Sequence, residues 1–164
     1  YQPIVDRFCD EIGDLSTLRQ RIMRAWDLAA QSGAEQDIFL DAVALNLHGF
    51  YSGVESLFSQ VAQHIDEELP NGKHWHRKLL ERMQEENQSR PALIGADSFE
   101  LLDELMRFRH LVRNVYAFNL LPERIGPLVD GIEKHWDRLK SELQAFSRFL
   151  QKLSDVEDAG PARP

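Results

Sequence analysis

Apolar residues recur along this chain at intervals of three, four and seven, the spacing that turns one side of an α-helix toward a core. Ile4, Phe8, Ile12, Leu15, Ile22, Trp26 and Ala29 keep that rhythm until QSG, ending at Gly33, breaks it. Ile38, Ala42, Leu45, Phe50, Val54, Leu57, Val61 and Ile65 predict a second helix, closed by the turn-forming Pro70, Asn71 and Gly72. A shorter third helix is predicted from Trp75 to Glu86, with Trp75, Leu79, Leu80 and Met83 inward. NQSRPALIGAD reads as a connecting loop. Asp97 and Glu100 form a D-x-x-E capping pattern that opens a fourth helix running to about Phe118. Pro122 and the Gly126–Pro127 pair mark the next junction. The last helix carries Leu128, Ile132, Trp136, Leu139, Leu143, Phe146, Leu150 and Leu153, and DVEDAGPARP reads as a disordered tail. No strand alternation, internal repeat or low-complexity block interrupts the pattern. The expected fold is all-α: an up-down helical bundle of four long helices plus one short helix. One domain is expected over residues 1–154, with 155–164 as the tail.

Composition narrows this picture. The 164 residues suffice for one core, and 43% hydrophobic with 28% charged residues is ordinary for a globular protein. The formal net charge of −8 argues against a general nucleic-acid coat, although a local basic patch on an acidic body is compatible with it. Cys9 is alone, so no internal disulfide is expected and a reducing, cytoplasmic setting is the natural reading. No signal peptide is visible, and charge breaks every long apolar stretch, so no membrane span is expected. The start at Tyr1 rather than Met reads as a trimmed or partly observed product.

The candidate chemistry lies in RFRHLVRNVY, residues 107–116. At about 100° per residue, Leu101, Leu105, Phe108, Val112 and Val115 share the core face of the fourth helix. Arg109, Arg113 and Tyr116, at i, i+4 and i+7, form a second stripe, with His110 and Asn114 beside it. Leu102 and Met106 continue the stripe upstream, which suggests that a partner helix packs there. The plain alternative is a solvated helix end whose cations offset the helix dipole. A second basic run, KHWHRK (73–78), offers Lys73, Arg77 and Lys78 for an RNA backbone and Trp75 for stacking on a base. Its plain alternative is a solvated first turn with Trp75 in the core. His74 and His76 form H-x-H, but without clustered Cys or a helical His–His pair neither a metal site nor a cofactor is expected. No Glu stands three residues before a His, as carboxylate-bridged di-iron bundles require. Gly-rich phosphate loops and nucleophile elbows are likewise missing from the sequence.

RFRHLVRNVY resembles the signature helix of HEPN-domain proteins, in particular the HepT-like branch. That signature is an Arg, four to six residues, a His, and a Tyr one residue beyond the His. Counted from Arg109, the His position falls on Asn114 and the Tyr position on Tyr116. FYSGVESLF (50–58), LPNGKHWHRKLLERM (69–83) and SRP (89–91) resemble the family's second helix, its Pro-Gly turn with a Trp-His pair, and the loop before the signature helix. The order and spacing fit from about residue 4 to 153. The resemblance implies a dimeric, all-α toxin of a two-gene toxin–antitoxin module. Its partner would be a minimal nucleotidyltransferase (MNT) antitoxin. It also implies a metal-independent ribonuclease acting on RNA, in some members tRNA, with its cleft where two signature helices meet. Silencing by transfer of AMP to the signature Tyr would place the modification on Tyr116.

The residues themselves agree with part of this. Arg109 and Arg113 suit a phosphate, because a guanidinium fork donates to two oxygens at once. Tyr116 could orient a phosphate or accept a modification. Asn114 departs from the pattern: it donates and accepts hydrogen bonds but moves no proton near neutral pH. His110 is the imidazole nearest to it in sequence, at the side of the stripe, and is the candidate stand-in as proton carrier. Three readings stay open: an RNA-cleaving toxin, a non-catalytic binding or regulatory partner of the nucleotidyltransferase, and a helical oligomerisation module.

Overall fold

The computed structural model describes residues 1–114 and 120–159, and of Arg113, Asn114 and Asp158 the backbone alone. Five helices follow in order: α1 (Gln2–Gln31), α2 (Gln36–His64), α3 (Trp75–Gln84), α4 (Ala96–Asn114) and α5 (Pro122–Ala159). No strand occurs among the described residues. The all-α bundle of four long helices and one short helix is the one the apolar periodicity predicts.

Cross-helix contacts give the directions. Gly49 and Gly53 of α2 face Leu18 and Leu15 of α1, so the two helices run antiparallel through the short turn at residues 32–35. Phe8 meets Phe146, Arg19 meets Glu133 and Trp26 meets Gly126, which sets α5 antiparallel to α1. Leu101 against Gly131 and Asp97 against Arg138 set α4 antiparallel to α5. The long helices therefore alternate up and down, and the short α3 packs across α2 and α4. One buried cluster runs through all five, including Phe8, Leu15, Phe50, Leu57, Leu80, Leu105 and Leu143. Burying each such side chain contributes about 1.5–3 kcal/mol. Exposed pairs such as Arg19–Glu133, worth about 0–1 kcal/mol, align helices that the core already holds.

Gly53 marks a close approach of α1 and α2. A Cβ there would fall 2.3 Å from Glu11 Oε1 and 3.2 Å from Leu15 Cδ2. Glu11 is buried beneath it, and burial pushes its carboxyl up from the ordinary range despite Arg7 at 3.2 Å.

The structure differs from the sequence reading in several places. Ile38 and Leu45 keep the apolar rhythm of α2 yet are 62% and 71% exposed. The helix α4 starts at Ala96, so Asp97 lies inside the first turn, where its charge favours the helix dipole, rather than capping from outside. Gly126–Pro127 does not end a segment. The helix α5 begins at Pro122 and runs through Pro127. Pro127 lies in the second turn, and Gly126 there lets the Trp26 ring within 3.3–3.4 Å of where a Cβ would be. Residues 155–159, read as part of the tail, extend α5 to Ala159. Leu102, read with Met106 as an edge on which a partner helix packs, is fully buried, and Met106 packs half-buried on the same core, with α2, α3 and α5 against α4. The expected continuation of the fourth helix to Phe118, with Val115, lies outside the described residues.

Candidate functional site

The site begins with a charge in an apolar helix. Between Asp41 and the end of α2 at His64, Glu55 is the single Asp, Glu, Lys or Arg. It sits four residues after Tyr51, on the face that also carries Val54 and Phe58, and both Tyr51 and Glu55 are buried. A buried carboxylate must find donors, and Glu55 finds three. Tyr51 Oη donates to Oε2 at 2.8 Å, His76 Nδ1 lies 2.5 Å from Oε2, and Arg109 Nη1 donates to Oε1 at 2.8 Å. Helices α2, α3 and α4 thus each supply a group to one carboxylate. The Arg109 guanidinium also lies 5.6 Å from the Tyr51 ring centroid, a cation–π contact, while its Nε is buried without a partner among the described residues. Burial, together with the neighbouring Glu55 charge, holds the Tyr51 phenol well above the ordinary tyrosine range. Tyr51 is therefore a fixed donor.

A second carboxylate repeats the device. Asp103 of α4 is buried and accepts Arg77 Nη1 of α3 at 2.5 Å, and Arg107 Nη2 one turn on in α4. Arg77 also lies over the Phe99 ring at 5.6 Å. Above these two carboxylates opens a cleft of about 370 Å³ lined by Lys73, His74, His76, Arg77, Met106, Arg107, Arg109 and His110. Four cations stand over two buried anions, so a chain of net charge −8 presents a locally positive recess. Arg109 also lines an adjoining recess of about 500 Å³ with Ala44, Leu45 and Val112.

The loops around α3 hold the cleft in place. Gly72 takes a φ of +90°, which lets the chain turn into α3, and its carbonyl accepts Trp75 N–H at 3.3 Å. At the other end Arg90 is fully buried. It grips Asp66 with two bonds of 2.7 and 2.8 Å and donates to the carbonyls of Arg82, Glu85 and Pro91. The guanidinium thus satisfies the C-terminal carbonyls of α3 and ties them to the end of α2. Burial alone would raise the Asp66 carboxyl, but the hydrogen bonds from Arg90 and Asn87, with the Arg90 charge, outweigh it and hold it below the ordinary range.

A family model described as HepT-like protein matches residues 42–150. The chain belongs to the HepT-like family, within the HEPN superfamily. No curated protein and no solved structure matches it. The HepT-like match takes in most of α2, all of α3 and α4, which build the cleft, and most of α5, and leaves α1 outside it.

The candidate residues fall into three groups. Arg109, Lys73, Arg77 and His110 come together on the cleft. Lys78 does not join them: it lines a separate recess with Glu81, Arg82 and Glu85. Tyr116 and the side chains of Arg113 and Asn114 lie outside the described residues. Trp75 packs on the core and stacks on His76, with ring centroids 3.7 Å apart. Among the described residues no three His, Cys, Asp or Glu side chains are grouped as metal ligands would be. The sequence pattern gives Glu55, Tyr51, Asp103 and Arg107 no role, and shows His76 only in the H-x-H pair, the basic run and the Trp-His pair of the family resemblance. The one signal available was Glu55 itself, an isolated acid on an apolar helix face.

Proposed function

We propose that this HepT-like chain is the toxin of a HEPN–MNT toxin–antitoxin module. It is a metal-independent endoribonuclease acting on RNA, with tRNA the first substrate to test. A minimal nucleotidyltransferase antitoxin neutralises it, by attaching AMP to Tyr116. The observation that carries this reading is the cationic cleft in which Arg109 shares a buried carboxylate with an imidazole. Arg109 donates to a phosphate of the RNA, and Lys73, Arg77 and Arg107 extend the positive surface along the strand. Arg113, Asn114 and Tyr116 complete the site in this reading, and a second copy of the chain doubles the charge.

The test is cleavage of total tRNA in EDTA by protein purified away from any partner. The expected result is cleavage that disappears in Arg109→Ala. Co-expression with the antitoxin should raise the intact mass by whole adenylyl units, and Tyr116→Phe should abolish the rise.

One observation favours a second reading. Asn114 stands where the family motif has a proton-transferring His. A non-catalytic partner or regulatory subunit of the nucleotidyltransferase would keep the basic cleft as a docking surface and cleave nothing. Silence in the same assay, with tRNA still bound, identifies that case.

A further inference from the structure

We propose that His76, held by Glu55, is the proton carrier of this cleft. The inference deepens the ribonuclease reading and rests on it. It concerns a residue of α3, outside the signature helix.

Four observations carry it. His76 Nδ1 lies 2.5 Å from Glu55 Oε2, and Glu55 is buried. That carboxylate accepts from Tyr51 and Arg109 as well, so it is an ionised acceptor, and the nitrogen facing it carries the hydrogen. The lone pair of the neutral ring is therefore on Nε2, the tautomer a general base needs. The ring lines the cleft and is 30% exposed, so it is wet enough to exchange a proton. Trp75 stacks on it and fixes its plane. Finally, Arg109 holds the other oxygen of the same carboxylate at 2.8 Å. The base and the phosphate-binding cation are thus set beside each other by one buried group.

The step balances as an internal transfer. His76 Nε2 takes the proton of a ribose 2′-hydroxyl. The O2′–P bond forms while the P–O5′ bond breaks. The imidazolium returns its proton to the departing O5′, leaving a 2′,3′-cyclic phosphate and a 5′-hydroxyl end. Arg109 faces the non-bridging oxygens as charge builds on them. Glu55 is a positioning residue: it orients the imidazole.

The experiment compares cleavage of tRNA by the full chain and by His76→Ala and His76→Gln, with tRNA affinity and thermal midpoint measured for each. General acid–base help is worth about a hundred- to ten-thousand-fold. Both variants should lose at least the lower figure in rate while binding tRNA within a few fold of the parent. Added imidazole should restore part of the rate to His76→Ala, which a purely structural loss would not allow. Cleavage kept in either variant overturns the proposal, as does a loss that imidazole leaves unrepaired. A parent chain that cleaves nothing overturns the ribonuclease reading and this step with it. That pattern, silence in parent and variants alike, is distinct from a parent that cleaves beside an equally active His76→Gln.

Discussion

At the scale of single residues, the cleft is organised by two buried carboxylates rather than by its cations. Glu55 and Asp103 each bind groups from two or three helices. An arginine so held is pre-aimed, and the rotamer entropy of ordering it on a phosphate is already spent. Arg109 should then matter to RNA binding as well as to cleavage. Arg109→Ala is expected to weaken tRNA binding at low salt and to flatten the dependence of log K on log salt by about 1. Titrations at several ionic strengths check this, and an unchanged slope would take Arg109 off the phosphate. Lys78 lies in the separate recess beside Glu81 and Glu85, so its substitution should leave the slope as it is.

At the scale of elements, α3 is the piece whose placement decides whether there is a cleft at all. It is short, and an isolated helix of that length is marginal in water. The Arg90 knot holds its C-terminal end. Removing one partner of a buried ion pair costs about 3–5 kcal/mol, because the other is left charged and dry. Arg90→Ala should therefore lower the urea midpoint markedly, and an unmoved midpoint would mean the knot holds little. The same pair gives a pH dependence. The folded-state value of Asp66 lies below its unfolded one, so the stability it supplies is complete above the ordinary aspartate range. It fades as pH falls through the lowered value. Acid titrations of stability should show this slope in the parent and lose it in Asp66→Asn.

At the scale of the whole molecule, the expectation of a dimer can be probed at two exposed leucines. Leu45 and Leu111 are 71% and 45% exposed, and Leu45 borders the recess it shares with Arg109. Met106 is half-buried against the chain's own core, which makes the two leucines the better probes. If copies of the chain meet there, Leu45→Glu and Leu111→Glu should each give monomers by light scattering. A dimer that survives both substitutions would move the interface elsewhere.

The type and order of the four long helices were legible in the residues because the 3.6-residue period repeats over segments of 19 to 38 residues, long enough to outweigh local exceptions. The exceptions were local chemistry: Gly126–Pro127 reads as a break, but α5 runs through it, with Gly126 set against the Trp26 ring. The candidate stripe could be written down because Arg109, Arg113 and Tyr116 lie close in sequence, and of its side chains the described residues place that of Arg109. What the stripe works with was not legible. His76 is 21 residues from Glu55, and Arg109 is 54. No periodicity relates such positions, because a side chain's partner across a bundle depends on how three helices pack and not on its place along one of them. A histidine that reads as solvated in KHWHRK becomes a candidate base only when α2 lays a buried carboxylate beside it.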